Sequence, residues 1–186
     1  MMKLENVSLS FGEKHVINDF SFTLCRGERI AVMGDSGAGK TTLMRILSGL
    51  HKPDSGSVEI DDRLSVLFQE NRLIESLSVI SNLMLVTDDR ERALSMLERV
   101  GLGGEGKNRV STLSGGMKRR LALARALLVP YDTLLLDEPF NGLDPERKHS
   151  IAELILSETE GKGIILISHE EEERELLGVE RRITIA

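Results

Sequence analysis

The chain has 186 residues, of which 40% are hydrophobic and 29% charged, and its formal net charge is −6. A chain of this length is expected to fold as one domain with a sizeable core, and its acidic balance leaves no general basic excess of the kind that attracts nucleic acid or anionic membranes. The apolar runs are far shorter than the ~20 residues of a membrane-spanning helix. Because the first residues lack the pattern of a secretory signal, we expect a cytoplasmic protein.

From Leu4 to Phe11 and again from Phe20 to Leu24, apolar and polar side chains alternate, which predicts half-buried strands in an antiparallel edge layer. The apolar positions are Val7, Leu9, Phe11, Phe20, Phe22 and Leu24. Cys25 is the only cysteine, so an internal disulfide is excluded. Its place in this alternating segment predicts a small buried core residue, with a reactive thiol as the alternative.

Three nearly continuous apolar runs follow, at residues 30–33, 133–136 and 163–167. Such runs are typical of strands buried on both faces of a parallel sheet. Between them apolar residues recur at helical spacing, and only helical patterns occur over about 71–129, so we expect an α/β fold with a helical subdomain there and a core of 1–70 and 130–186. The helical positions are Leu43, Met44, Ile46, Leu47 and Leu50; Leu94, Leu97 and Val100; Leu121, Ala124, Leu127 and Leu128; and Ile151, Leu154 and Ile155.

A glycine-rich segment fits G-x-x-x-x-G-K-[ST] directly after one buried strand and before a helix. Its backbone N–H groups and the helix N-terminus can cradle phosphates. We expect Lys40 to approach the β and γ phosphates of a nucleotide and Thr41 to offer its hydroxyl to Mg²⁺. Kinases, GTPases and motors share this loop, so it predicts nucleotide binding alone. The predicted nucleotide ligands are Gly34, Asp35, Ser36, Gly37, Ala38, Gly39, Lys40, Thr41 and Thr42.

A second motif, LSGGM from Leu113 to Met117, stands immediately before a helical run. A serine and two glycines at a helix start form an anion site, although Ser114 could equally be a plain N-cap. Together with the phosphate loop, this motif resembles the signature of the ATP-binding-cassette ATPases, and the resemblance covers essentially the whole chain. It implies a P-loop fold with a mostly parallel central sheet, an antiparallel N-terminal layer and an inserted helical subdomain.

The resemblance also implies how the signature works. Ser114, Gly115 and Gly116 would face the γ-phosphate held by the phosphate loop of a second subunit, so that two copies share each ATP. Met117 departs from the family, which usually has a polar residue there, most often glutamine. This departure leaves the serine and the glycines intact.

The hydrolytic residues follow from the same resemblance. Asp137 and Glu138 end a predicted buried strand, where open α/β sheets build their sites. Asp137 would orient the hydration shell of Mg²⁺, and Glu138 would act as the general base on the attacking water. Gln69 matches the glutamine loop, which touches the metal or the water, and His169 matches the switch histidine, which reaches the γ-phosphate.

Other positions keep two interpretations. Phe11 lies where the family stacks an aromatic ring on adenine, and core packing is the alternative. Asp144 matches a loop that communicates across the dimer, and it is also placed to cap the helix that begins at Pro145. The acidic run from Glu170 to Glu173 is predicted to be a solvated helix face.

The resemblance finally implies a partner class. Leu73, Ile74, Leu77 and Val79 are candidates for a groove that receives a membrane subunit, or else for the core of the helical subdomain. We expect an ATP-dependent homodimer at the inner face of the cell membrane, working with integral permease subunits and, through the permease, with an extracellular solute-binding protein. Import is favoured over export. One alternative is a soluble ATPase of repair, chromosome organisation or translation, but the sequence shows none of the long insertions, coiled coils, zinc modules or tandem cassettes of those branches. The other is a P-loop kinase, which would need an acceptor pocket and lid in place of the signature helix, and Leu113 to Gly116 argues against it.

Overall fold

The computed structural model describes residues 1–35 and 37–185. Short 3₁₀ turns occur at Gly103–Glu105 and Val110–Thr112. The strands of the described chain are β1 (Met2–Phe11), β2 (Lys14–Leu24), β3 (Arg29–Met33), β4 (Ser55–Ile60), β5 (Leu64–Leu67), β6 (Thr133–Asp137), β7 (Gly163–Ile167) and β8 (Arg181–Thr184). Its helices are α1 (Lys40–Leu47), α2 (Val79–Leu83), α3 (Arg90–Arg99), α4 (Gly115–Leu128), α5 (Pro145–Glu158) and α6 (Glu171–Leu176).

The N-terminal strands form the antiparallel layer that their alternation predicts. The order is β2-β1-β4, and β1 pairs antiparallel with both neighbours. Leu4 and Val7 are both buried although they lie three residues apart. The register of β1 shifts between them, and Asn6 takes a left-handed conformation with φ 50°. This irregularity returns the apolar side chains to the inner face.

The second sheet has the order β5-β6-β7-β3-β8, and the pairs β6–β7, β7–β3 and β3–β8 are parallel. Every residue of β6 and β7 is buried, as the continuous apolar runs predict, and the expected α/β fold is confirmed. The three central strands end at the same edge of the sheet. The next residues of the chain there are Gly34, Glu138 and Ser168, so this edge is where a site forms.

The chain forms two compact units. The first comprises Met1–Val66, Tyr131–Glu138 and the residues from Gly161 onward, and it contains the antiparallel layer, α1 and α6. The second comprises Leu67–Pro130 and Pro139–Glu160, and it contains α2, α3, α4 and α5. None of the described helices is both long enough and apolar enough to cross a bilayer.

The end of α1 corrects one prediction, because Leu50 lies outside the helix and is exposed. Gly49 takes a left-handed conformation with φ 72°. Its N–H donates to the carbonyl of Ile46, and the N–H of Leu50 donates to the carbonyl of Arg45. These two bonds form a glycine-based C-terminal cap, which ends the apolar stripe at Leu47.

The buried face of α3 is rotated by one residue from its prediction. Leu97 and Val100 are buried as predicted, but Leu94 is exposed. Ala93 and Met96 are buried instead, and the set 93, 96, 97 and 100 follows one face of a helix. The spacing was therefore correctly assigned to a helix, whereas its phase was wrong.

Cys25 is exposed, so its prediction as a core residue was wrong. It follows the buried Leu24, the last residue of β2, and begins a turn in which its carbonyl accepts a bond from the N–H of Glu28. The strand ends one residue before Cys25, so the alternation no longer applies to it.

The acidic run at α6 is only partly a solvated face. Glu171 and Glu172 are exposed as predicted, but Glu173 is 4% exposed. Adjacent helical positions point in directions about 100° apart, so a run of four acids on a packed helix turns at least one of them inward.

The start of β6 carries an ion pair that gives stability a pH dependence. Asp132 accepts bonds from the backbone N–H of Arg63 at 3.0 Å and from its guanidinium at 2.9 and 3.0 Å. These bonds hold the pKa of the Asp132 carboxyl well below its usual range. A lowered pKa adds stability above the unfolded value of about 3.9, and this stability is lost as the pH falls through and below that value.

We therefore expect Asp132→Asn to lower the urea midpoint of unfolding at pH 7. The difference from the wild type should shrink progressively below about pH 5, because the wild type alone loses this contribution on acidification. The control is Glu153→Gln, which removes an exposed acid from α5. A difference that stays constant down to pH 2 would contradict the assignment.

Candidate functional site

The glycine-rich loop connects β3 to α1 in the first unit. Ser36 lies outside the described residues, and the remaining residues from Gly34 to Ala38 are exposed or half-buried. Gly39 precedes α1 with φ 96°, and a Cβ atom there would lie 2.7 Å from the carbonyl oxygen of Val16. Only glycine fits this position, so the close approach of the β2 backbone fixes the loop at the helix start.

Lys40 is folded over this loop. Its Nζ donates to the carbonyl oxygens of Gly34 at 2.6 Å and Asp35 at 2.8 Å. Thr41 and Thr42 follow in the first turn of α1 and are half-buried. The first N–H groups of a helix lack helical partners and favour an anion, so the loop, the ammonium group and the helix start are chemically suited to bind phosphate.

Two carboxylates stand at the end of β6. Asp137 is buried and is the last residue of the strand. Glu138 has φ 48°, and its N–H donates to the carbonyl oxygen of Ile167 at 2.8 Å. A left-handed conformation in a residue other than glycine is strained. Because the strand ends here, Asp137 and Glu138 do not follow the strand alternation that would place their side chains on opposite faces of the sheet.

His169 lies beside the second carboxylate. Its Nδ1 is 3.4 Å from Oε1 of Glu138, and the imidazole is 67% exposed while the Glu138 side chain is 23% exposed. His169 follows β7 and Glu138 follows β6, so the pairing of these neighbouring strands brings them together. A carboxylate and an imidazole at such a distance can together bind a water molecule and accept a proton from it.

Two side chains of the first unit are oxygen donors of the kind that bind Mg²⁺. Mg²⁺ typically takes one or two protein oxygens and completes its shell with waters and substrate phosphates. The Thr41 hydroxyl and the Asp137 carboxylate belong to the same unit and are oxygen donors of that kind. Over residues 1–35 and 37–185, no cluster of three or more His, Cys, Asp or Glu side chains is placed to hold a metal.

Phe11 ends β1 in the first unit and is 50% exposed. Its ring meets the ring of His51 edge to face, with centroids 5.7 Å apart. Core packing was the alternative for Phe11, and half of its surface remains accessible to a flat ligand. His51 gave no signal in the sequence, because it lies in a loop well away from Phe11 in the chain.

In the second unit, the segment around Gln69 is held by arginines. Arg119 of α4 is buried, and its Nη1 donates to the carbonyl oxygens of Phe68 at 2.5 Å and Gln69 at 3.3 Å. Arg125 donates to the carbonyl oxygen of Asn71 at 3.2 Å, and burial lowers the pKa of its guanidinium. The Gln69 side chain is thus presented from a fixed backbone, and the sequence missed these arginines because their partners are remote.

Both predicted helix caps are present in the second unit. The Ser114 hydroxyl accepts a bond from the N–H of Met117 at 3.3 Å, and Gly115 and Gly116 are the first residues of α4. Asp144 likewise accepts a bond from the N–H of Arg147 at 3.0 Å at the start of α5. The capping interpretation is confirmed for Ser114 and Asp144, and it leaves their proposed roles toward a second subunit open.

The predicted groove residues divide by burial. Val79 is fully buried and Leu73 and Leu77 are half-buried, whereas Ile74 is 44% exposed. The buried Asn82 accepts from the N–H of Ile74 at 2.9 Å and donates to its carbonyl at 3.0 Å. Val79 therefore belongs to the core of this unit, and Ile74 is an apolar side chain on a tethered loop.

Comparison with known proteins gave concordant matches. A family model described as "ABC transporter" matches residues 17–141. The chain is 41% identical to the aliphatic sulfonates import ATP-binding protein SsuB 1 of Paracoccus denitrificans, over 94% of this chain and 75% of that protein. It is 39% identical to the taurine import ATP-binding protein TauB of Pseudomonas aeruginosa, over 91% of this chain and 73% of that protein.

A solved structure is similar over the whole chain. It is the dimeric post-hydrolysis state of the ATP-binding cassette MJ0796 bound to ADP and phosphate, with a TM-score of 0.91 and 28% sequence identity. The match covers 100% of this chain and 94% of that one.

Proposed function

This chain belongs to the ATP-binding-cassette transporter family and is an ATP-binding and ATP-hydrolysing subunit, and from this premise we propose that it drives solute import as a homodimer with Mg²⁺-ATP. The observation that carries the proposal is the arrangement at one sheet edge in the first unit. There the phosphate loop with Lys40 follows β3, and the Glu138–His169 pair follows β6 and β7.

The loop and Lys40 bind the phosphates. Lys40 now donates to the neutral carbonyls of Gly34 and Asp35, and it would exchange them for phosphate oxygens, because charge-assisted bonds between ions are stronger. Thr41 and Asp137 would hold Mg²⁺, which supplies charge neutralisation at the phosphates when bound. The protein's contribution at this stage is to fix the γ-phosphate before the reaction starts.

Glu138 and His169 perform the proton chemistry. Glu138 would accept a proton from the attacking water as the water oxygen bonds to the γ-phosphorus and the bond to the leaving ADP oxygen breaks. His169, at 3.4 Å from Glu138, would orient that carboxylate and contact the γ-phosphate. The strained φ of 48° at Glu138 supports this role, because strain of this kind concentrates at active sites.

A second copy of the chain would complete the site. Ser114 and Gly115 are exposed at the N-terminus of a helix of 14 residues, and such a terminus favours an anion. We infer that it contacts the γ-phosphate bound by the partner copy, and that the ATP bridging both copies stabilises the closed state. The dimeric assembly of the related cassette with ADP and phosphate supports this arrangement.

Integral permease subunits would receive the closing and reopening motion of the dimer at the inner face of the membrane, and an extracellular solute-binding protein would deliver the solute to the permease. Import is favoured because the sulfonate and taurine relatives are named as import proteins. Ile74 is the candidate contact, since its exposed apolar side chain projects from a backbone that Asn82 holds. Gln69 lies on the same arginine-bound segment and would report the nucleotide state to this surface.

The test is recovery of the tagged chain from membranes of its source cell, with and without ATP, followed by mass spectrometry. We expect a multispanning permease to co-purify, and we expect Ile74→Asp to lower its recovery because a charge would be buried in the interface. Leu94→Asp is the matched control, since Leu94, like Ile74, is an exposed aliphatic residue of the second unit. Recovery of only ribosomal or nucleic-acid-binding proteins would overturn the transport proposal.

A further inference from the structure

A buried carboxylate lies directly behind the switch histidine. Glu173 of α6 is 4% exposed and Ser168 is 1% exposed. The Ser168 Oγ donates to Oε2 of Glu173 at 2.6 Å, and the same Oγ accepts a bond from the N–H of Glu170 at 3.0 Å. Ser168 is thus fixed from both sides, and the residue it precedes is His169.

Burying a carboxylate is unfavourable unless it is hydrogen-bonded, so Glu173 calls for a specific explanation. The exposed Glu171 of the same helix already pairs with Arg174 at 2.7 Å and with Arg182 at 2.6 Å. The bond from Ser168 joins Glu173 to the loop after β7.

The His169 side chain itself lies near the protein surface. The imidazole of His169 is 67% exposed, so packing restrains it weakly and its direction depends on its backbone. The residue two positions earlier, Ile167, accepts the backbone N–H of Glu138 through its carbonyl. Ser168 lies between Ile167 and His169 in the chain. Holding Ser168 in place therefore also restrains the backbone of His169 relative to Glu138.

We propose that Glu173 is a positioning residue for ATP hydrolysis, which acts through the Ser168 hydroxyl to hold the His169 backbone so that the imidazole stays beside Glu138. This inference rests on the proposed roles of Glu138 and His169. Glu173 itself touches neither the nucleotide nor the attacking water in this scheme, so it should affect the chemical step and leave nucleotide binding intact.

The test compares kcat, KM and ATP affinity of the full-length chain in a set of variants. Glu173→Ala and Ser168→Ala should each lower kcat by about tenfold to about 100-fold, the effect of misplacing a catalytic group by a fraction of an ångström to an ångström. ATP affinity should change little. The double variant should be no slower than either single variant, because both remove the same bond.

Conservative variants and a neighbour serve as controls. Ser168→Thr keeps the hydroxyl and should retain turnover, and Glu173→Gln keeps an acceptor oxygen and should lie between the wild type and Glu173→Ala. Glu172→Ala removes the adjacent exposed acid and should leave kcat unchanged. All rates are measured well below the thermal unfolding midpoint of each variant. A variant that only loses stability would then show a lower midpoint but an unchanged kcat.

The outcomes separate this inference from the proposed function. Wild-type kcat in Glu173→Ala, or multiplied losses in the double variant, would overturn the positioning role while Glu138→Gln still abolished turnover. Normal turnover in Glu138→Gln would instead remove the proposed function on which the role rests. A loss of kcat in both single variants that Ser168→Thr avoids would support it.

Discussion

Replacing Glu138 by glutamine is expected to lower ATP turnover by about 10²- to 10⁴-fold, the range that a positioned general base contributes. The glutamine amide has the same shape but does not accept the proton of the attacking water. ATP binding should persist, since Lys40 and the loop after β3 are unchanged. The variant should therefore accumulate as an ATP-bound closed dimer, because ligand binding continues while the step that reopens it is blocked.

This expectation is checked by phosphate release at saturating ATP, by equilibrium binding of ATP, and by size-exclusion chromatography with and without ATP. The control is Glu180→Gln, which removes an exposed acid of the first unit and should behave as the wild type. The backbone of residue 138 has φ 48°, and glutamine meets the same strain there as glutamate, so the comparison isolates the carboxylate. Turnover at the wild-type rate would take the general-base role away from Glu138.

Replacing Lys40 by alanine is expected to weaken ATP binding by about 10- to 100-fold or more. Hydrogen bonds that involve a charged group contribute about 1.5–3 kcal/mol each, and about 1.4 kcal/mol corresponds to a tenfold change in affinity. Nζ is held by the Gly34 and Asp35 carbonyls at 2.6 and 2.8 Å, so it is already positioned at the loop. At ATP concentrations below the Kd of the variant, its turnover should fall by at least the same factor as its ATP affinity.

Titration with a fluorescent ATP analogue measures this loss, and ADP titration tests which phosphate Lys40 contacts. A larger loss for ATP than for ADP indicates the γ-phosphate. Lys52→Ala is the matched control, because Lys52 is an exposed lysine of the same unit outside the loop. Unchanged ATP affinity in Lys40→Ala would contradict the phosphate-binding arrangement at this loop.

The sequence alone determined the parts of the protein that depend on neighbouring residues. The strands β6 and β7 follow from continuous apolar runs that are buried throughout. The caps at Ser114 and Asp144 follow from a hydroxyl or a carboxylate placed before a helix, and both accept the N–H three residues on. These features are local, so the composition of a short window is enough to specify them.

The tertiary structure decided what depends on residues distant in the chain. Arg119 meets Phe68 across 51 positions, and Arg63 meets Asp132 across 69, so no short window contains both partners. The burial of Glu173 and the exposure of Cys25 and Leu94 depend on where a helix or strand ends and on which face meets the core. A periodic pattern gives the type of element, whereas its phase and its buried polar partners are set only when remote segments pack together.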